Sequence, residues 1–533
     1  MPTQTAPQSS RMAALPTTLR VYNTLTKAKE PFETVQPGKV GIYLCGPTVY
    51  KPSHIGHMVG PVIFDAIKRY LAYCGYEVTL VVNITDVDDK LIVESKARGM
   101  DMPSLAKEMT ADYLRNLAAL GVDTIDHFPK ATDNIDQIIG LTKKLIDRGF
   151  AYAADGDVYF DVGQNRDYGK LSHRALESMQ GEGGEMGERK RSPMDFALWK
   201  GAKPGEPSWA SPWGPGRPGW HIECSAMSQR YLGETFDIHG GGLDLVFPHH
   251  ENELAQSECA HGKTFVKYWL HNGLMQASSE VGKVGGRNTR TADDEQAQAH
   301  GKISKSKGAS AFRDLLARHQ PEAIRFFLLS THYRRPIDYS EERLREVATG
   351  LESFYRFFKR FERVTGESFY GLERPQQRAA GEFAAGGHPL LERVAELRRK
   401  FIEAMDDDFN TGGAIGDLFE LVRVLNKFVD DEKVEAPGQA TAAKLSPLRQ
   451  GARVLAEISG TLGLFLRPTE SKQAEGDEDQ LVDKLMALII ELRAAARKNK
   501  DFPTADKIRN ALGDAGVVLE DRPGGTDWTR KEG

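Results

Sequence analysis

KVGIYLC (39–45) and EVTLVVNI (77–84), with a helical stretch between them, decide the fold of this 533-residue chain. The first run is apolar at nearly every position and ends at a GPT turn, the pattern of a short strand buried on both faces. From about residue 55 to 74, apolar Val59, Val62, Ile63, Ala66, Ile67 and Tyr70 recur at helical spacing, and Gly75 stops the helix. The second run is β-branched. Strand, helix and strand in about 45 residues make a βαβ unit, which predicts a parallel sheet with a right-handed crossover. Such sheets bind ligands outside the carboxyl ends of their strands. Cys45 and residues 83–89 stand at such ends.

Beyond this unit the pattern loosens from about 115 to 217. QGEGGEMGERKRSP (180–193) is rich in glycine and charge, and residues 202–218 hold five prolines and three glycines. This predicts an insertion between two halves of the sheet domain. A third strand is expected at 234–239 (ETFDIH), followed by Gly240-Gly241-Gly242 and a helix at 248–261. Apolar residues at heptad-like spacing predict helices at 343–364, 388–409, 414–431 and 444–464, packed as an antiparallel bundle. LRPTESKQAEGDEDQ (466–480) reads as an acidic linker. A small module closes the chain, with helices near 481–498 and 504–512, a strand at 517–520, and Trp528.

Composition narrows the function classes. Lys and Arg number 70 and Asp and Glu 75, for a net charge of −5, so any nucleic-acid binding must use a local patch. The longest apolar runs fall far short of the ~20 residues of a spanning helix, which argues against a membrane protein. The four cysteines, Cys45, Cys74, Cys224 and Cys259, are too few and too scattered for a disulfide scaffold, so a reducing compartment and cytoplasmic location are expected. The acid-free first 29 residues contain no continuous apolar stretch of the secretory kind, and 1–18 reads as a disordered tail.

Three constellations carry chemistry. His54-Ile55-Gly56-His57 stands where the first strand hands over to its helix, and helix N-termini attract phosphate. Gly56 leaves room there for a close-lying adenine ring. Lys302-Ile303-Ser304-Lys305-Ser306 lies in a Gly- and Ser-rich loop suited to closing over a polyphosphate. The third set is metal-like: Cys45, Cys224 in WHIEC, and PHHENE, where His249 and Glu253 share a helix face. Spacing alone does not select His249 over His250. Cys74 and Cys259 read as buried small hydrophobes.

Seven collinear stretches give these features a common source: YLCGPTVYKPSHIGH (43–57), VVNITDVDDK (81–90), DFALWK (195–200), PGWHIECSAM (218–227), DIHGGGLDLVFPHHENELAQ (237–256), KISKS (302–306) and ADKIRNALGDAGVVLEDRPGGTDW (505–528). From about Leu19 to Trp528 the sequence resembles the cysteinyl-tRNA synthetases, a class I aminoacyl-tRNA synthetase family. The resemblance implies a Rossmann-type parallel-sheet catalytic domain, a connective insertion, an all-α bundle and a small C-terminal α/β module. Its divisions are a tail (1–18), the two catalytic halves (19–114 and 218–310) around the insertion (115–217), a stem-contact region (311–349), the helical bundle (350–465), the linker (466–480) and an anticodon-binding module (481–533). It implies one Zn²⁺ at Cys45, Cys224, His249 and Glu253. ATP would be handled by His54, Gly56, His57, Asp244, Lys302 and Lys305, with His54, His57, Lys302 and Lys305 catalytic. Thr85, Trp220 and His239 would line the amino-acid pocket.

The implied reaction activates L-cysteine with Mg²⁺-ATP and transfers it to tRNA(Cys). A monomer with no membrane partner is expected. Ile303 stands where the family has Met, and residues 276–301 are roughly twenty longer than its pattern. An alternative is a paralogous ATP-dependent ligase joining cysteine to an amino sugar, but such an enzyme needs no anticodon reader such as the extension 350–533.

Overall fold

The structure is a computed structural model describing residues 18–174, 189–277, 311–468, 474–522 and 525–530. The chain divides into two compact units, Met1–Arg467 and Pro468–Gly533. In the larger unit, strands β1 (Lys39–Leu44), β2 (Glu77–Val82), β3 (Phe236–Gly242) and β4 (Val266–Asn272) form one parallel sheet in the order β4-β3-β1-β2. Ile42 pairs with Leu80 on one side and Ile238 on the other, and all three are fully buried. Helix α1 (Gly56–Tyr73) returns from β1 to β2 as the βαβ reading requires, and its buried face includes Val62, Phe64 and Ile67. The chain runs on through α2 (Asp89–Arg98), α3 (Trp220–Leu232) and α4 (Glu251–His261). The observed class is the expected one: a parallel α/β sheet domain, an all-α region and a small terminal α/β module.

The differences have physical causes. β3 takes in all three glycines rather than ending at His239. A Cβ on Gly240 would stand 2.1 Å from the Phe64 ring, so glycine lets α1 press flat on the strand and is not a turn signal here. Helix α4 begins at Glu251, after a kink in which Phe247 is extended (φ −137°, ψ 135°), and not at 248. β4 (VKYWLHN) was not anticipated, because basic and polar residues interrupt its apolar run.

The described part of the insertion is regular, and residues 175–188, with most of the Gly- and charge-rich stretch 180–193, lie outside the described residues. Strands Ala151–Ala154, Asp157–Phe160, Phe196–Gly201 and Gly216–Pro218 form an antiparallel sheet over helix Ile135–Asp147, with Phe160, Leu198 and Trp199 fully buried. Strands of three to six residues broken by Gly, Pro and a register shift at Val158/Tyr159 give no clear alternation. Helix Met102–Ala119 runs through position 114/115, where the insertion was drawn to begin.

The bundle helices are Glu341–Thr365, Pro389–Asp406, Thr411–Asp431 and Ala442–Gly460. Phe354, Phe357, Phe358 and Phe361 of the first, and Leu418, Leu421, Val422 and Leu425 of the third, bury the predicted stripes. The second stops at Asp406 because Asp408 and Phe409 turn left-handed, φ 67° and 50°. That bend sends the buried Asp408 carboxylate to accept from the Tyr22 N–H, the Tyr333 hydroxyl and Arg334 Nε, at 2.7–2.8 Å. The N-terminal hairpin (Arg20–Asn23, Ala28–Pro31) is thereby tied down, and Thr18, expected in the tail, donates to Asp406 at 2.6 Å.

In the smaller unit, helix Ala474–Lys498 begins inside the stretch read as a linker. Helix Phe502–Asp514 follows, and a hairpin, Val517–Arg522 with Gly525–Arg530, places Trp528 opposite Leu519. No helix among the described residues is long and apolar enough to cross a membrane.

Candidate active site and metal centre

β1 and β3 lie side by side and parallel, but the chain passes from β1 to β2 on one side and from β3 to β4 on the other, so the crevice at their carboxyl ends is the place where a parallel sheet takes ligands. A cleft of about 540 Å³ opens there. Cys45, residues 46–48 and Tyr50 follow β1, and His54, Gly56 and His57 open α1. Gly241, Gly242 and Asp244 follow β3, and residues 272–275 follow β4; all of these line the cleft. Gly46 is required by close approach, since a Cβ there would fall 1.7 Å from the Asn83 carbonyl oxygen.

Ile55 gives helix α1 no side-chain cap, and the His57 and Met58 N–H groups turn back to the His54 and Ile55 carbonyls at 2.9 and 3.0 Å. The Gly56 N–H donates to His54 Nδ1 at 3.1 Å, and the His54 and His57 rings stack at 3.9 Å. Five predicted residues, Cys45, His54, Gly56, His57 and Asp244, thus share one cleft. Lys302 and Lys305 lie outside the described residues, as does most of the 276–301 loop.

Beneath the cleft floor the metal-like residues converge. Cys45, Cys224, His249 and Glu253 each bring one donor atom within 4.8 Å of the others. Cys45 Sγ lies 3.8 Å from Cys224 Sγ, 3.5 Å from His249 Nε2 and 3.4 Å from Glu253 Oε1, and His249 Nε2 is 3.0 Å from that same oxygen. A tetrahedral ion with metal–sulfur bonds of ~2.3 Å and metal–nitrogen bonds of ~2.0 Å has S···S edges near 3.8 Å and S···N edges near 3.5 Å. The donor set fits such an ion. Cys45, His239, His250 and Glu253 form a second, overlapping set.

Burial sets the electrostatics. It pushes the Cys45 thiol well up, helped by Cys224 and Glu253, and it raises Cys224. It drives His249 and His250 well below the ordinary imidazole range, and holds His221 and His271 down to about 3. Without a cation these thiols and imidazoles are therefore neutral, and a bound metal is what would favour the thiolates.

The three residues expected to hold the amino acid surround the cluster. Trp220 stacks on His249 at 4.2 Å and is 40 % exposed. His239 places Nε2 2.9 Å from Glu253 Oε2 and stacks on Trp269 at 4.6 Å. The Thr85 hydroxyl donates to Glu223 Oε2 at 3.1 Å, while the Thr85 carbonyl accepts from the Val49 N–H at 3.2 Å. Cys74 and Cys259 are buried away from both sites.

Sequence reasoning did not single out the residues behind these. His221 Nδ1 lies 2.8 Å from His249 Nδ1, and His271 Nε2 lies 2.8 Å from His250 Nδ1. His271 sits near the end of the unanticipated β4, where its position in the sheet was the only available signal.

The sequence matches known proteins over most of its length. Residues 31–288 and 296–349 match the tRNA synthetases class I (C) catalytic domain, 400–467 the DALR domain, and 486–528 the cysteinyl-tRNA ligase anticodon binding domain. A cysteine–tRNA ligase of Geobacter sulfurreducens is 46 % identical over 515 residues, covering 96 % of this chain and all of that protein. The chain belongs to the cysteinyl-tRNA synthetase family. A second cysteine–tRNA ligase, from Desulfitobacterium hafniense, is 45 % identical over 516 residues, 96 % of this chain and all of that one. Like other members of this family, the chain is a class I cysteine–tRNA ligase, with tRNA, ATP and an amino acid as substrates.

The fold extends to distant synthetases. Methionyl-tRNA synthetase of Mycobacterium tuberculosis, solved with methionyl-adenylate, superposes with a TM-score of 0.55 at 15 % identity, over 85 % of this chain and 94 % of that one.

Proposed function

We propose that the enzyme activates L-cysteine with ATP to cysteinyl-adenylate and transfers it to the 3′ end of tRNA(Cys), with one zinc ion selecting the thiol. The observation that carries this reading is the four-donor cluster of Cys45, Cys224, His249 and Glu253, whose Cys45 is at once a ligand candidate and a wall of the cleft. Two soft thiolates favour zinc over harder cations and favour this set over the overlapping one. His221, bonded to the far nitrogen of His249, supports it by fixing that ring. When bound, the ion supplies a soft Lewis acid that distinguishes a thiol from a hydroxyl, where shape alone is worth only ~1–3 kcal/mol.

The chain's own residues do the rest. In the first step the cysteine carboxylate attacks the α-phosphorus of ATP and pyrophosphate leaves. A carboxylate is already nucleophilic at neutral pH, so positioning and charge stabilisation are what the site must contribute. His54, His57 and the start of α1 receive phosphate oxygens, Asp244 receives the ribose, and Lys302 and Lys305 neutralise the departing pyrophosphate with the Mg²⁺ that accompanies ATP. Thr85, Trp220 and His239 orient the amino acid. In the second step a hydroxyl of the terminal adenosine attacks the acyl carbon, and AMP leaves.

The helical bundle (350–465) and the terminal module (481–533) read the tRNA on this account. The module's basic patch is thinner than its sequence suggests. Of Arg493, Arg497, Lys498, Lys500, Lys507 and Arg509, the first two grip Asp521: Arg493 through two bonds at 2.7 and 2.9 Å, Arg497 at 2.9 Å. Those hydrogen bonds hold the Asp521 carboxyl well below the usual range. The other four cations and Trp528 are the proposed RNA contacts. We place the enzyme in the cytoplasm, acting as a monomer.

Cysteine-dependent ATP–pyrophosphate exchange followed by charging of transcribed tRNA(Cys) tests the reading. Exchange with cysteine but not serine, and charging of that tRNA, are expected. Exchange without charging of any tRNA would instead favour an amino-sugar-type acceptor.

A further inference from the structure

β2 ends where the sheet domain meets the insertion, and a lysine is held there with no evident structural duty. Asp89, the first residue of α2, is gripped by Arg217 and, at 2.8 Å, by Lys200, both on insertion strands. The Asp88 carboxylate accepts the Lys90 backbone N–H at 2.8 Å. These contacts fix the backbone leading into Lys90. Its side chain is exposed and lines the cleft, with the ammonium 5.8 Å from the centre of the half-buried Tyr50 ring, which also lines it.

Asp88 bonds the Lys90 backbone and Asp89 pairs with Arg217 and Lys200. Among the described residues lining the cleft, Lys90 is the one lysine or arginine. An exposed ammonium at a cleft mouth is suited to an anionic ligand.

Its side of the cleft says which one. His54, His57 and Asp244 flank the point between β1 and β3, where the nucleotide is proposed to lie, whereas Lys90 follows β2 on the opposite flank, beside the insertion. We propose that Lys90, backed by the face of Tyr50, receives a phosphate of the unpaired 3′ end of tRNA as it enters the cleft for acyl transfer. The inference rests on the tRNA-charging function above. Lys90 acts by binding and positioning; it exchanges no proton and forms no bond in the reaction. Tyr50 adds a ring on which an unpaired base can stack.

The test compares Lys90→Met and Lys90→Arg in the full chain, by cysteine-dependent exchange and by single-turnover transfer from the enzyme-bound adenylate to transcribed tRNA. Lys90→Met should reduce transfer by about tenfold more than it reduces exchange, the size of one charge-assisted contact. Lys90→Arg should recover most of that loss. The log–log salt dependence of kcat/KM for tRNA should flatten by about 0.7 in Lys90→Met, one single-stranded phosphate contact, which a merely structural role would not produce. Equal losses in both half-reactions with a raised KM for ATP would assign Lys90 to the nucleotide's phosphates and overturn the proposal. No change in either would overturn it as well. A parent enzyme that shows no cysteine-dependent exchange would overturn the functional reading first, before any substitution is compared.

Discussion

Arg325→Met should cost about 3 kcal/mol of stability, at the lower end of the ~3–5 kcal/mol seen when one partner of a buried ion pair is removed. Arg325 is 1 % exposed and Asp65, midway along α1, is fully buried. The guanidinium binds the Asp65 carboxylate, donates to the Leu462 carbonyl at 2.8 and 2.9 Å, and reaches the Leu120 and Gly121 carbonyls at 3.2 Å. Methionine would strand those acceptors. The estimate sits at the low end because Arg69 Nε still reaches Asp65 at 2.9 Å and Thr124 donates to it at 2.6 Å.

Adding Asp65→Asn should recover part of the loss, because the stranded charge is then gone. Burial by itself would raise the Asp65 carboxyl, but Arg325 and Arg69 outweigh it and hold it below the ordinary carboxylate range. A depressed carboxyl contributes stability that is present above its unfolded value, ~3.9, and lost as pH falls through the folded value. The gap between parent and Arg325→Met should therefore be full at pH 7 and shrink below about pH 4. Urea denaturation at several pH values measures this. A single-variant loss under 1 kcal/mol, or a gap that widens toward acid, would refute the reasoning.

Three further outcomes are expected. Cys224→Ser should lower metal content and abolish the preference for cysteine over serine in exchange, since an alcohol is a poor zinc ligand at neutral pH; stoichiometric metal with normal exchange would remove Cys224 from the site. Lys305→Ala should lower kcat for adenylate formation more than it raises KM for ATP, because charge grows on the leaving pyrophosphate only in the transition state; a raised KM with kcat unchanged would mean uniform binding. Removing everything after Arg467, at the division between the two units, should spare exchange while kcat/KM for tRNA falls by at least tenfold and its salt dependence flattens. Unimpaired charging would take the terminal module out of recognition.

What could be read in advance follows from where the signal resides. The βαβ unit was legible because β1 and β2 are buried on both faces and α1 shows an uninterrupted helical stripe. The bundle was legible for the same reason, down to its phenylalanine row. The insertion was not, since its short strands draw their stability from packing Trp199 and Phe160 rather than from local pattern. Gly240-Gly241-Gly242 misled because the neighbour that demands glycine, Phe64, lies about 180 residues away in sequence. At the site, motif residues announced themselves, but His221 and His271 did not, because only tertiary contact brings them against His249 and His250. Nothing local in the sequence shows that Arg493 and Arg497 are paired, because Asp521 comes beside them only through the hairpin.

X-ray absorption at the zinc edge tests the central claim most directly, because it counts the sulfurs bound to the metal before and after cysteine is added. Two sulfurs with nitrogen and oxygen in the free enzyme, rising to three on adding cysteine and staying at two on adding serine, is the predicted result. A sulfur count that does not change with cysteine would contradict metal selection of the thiol.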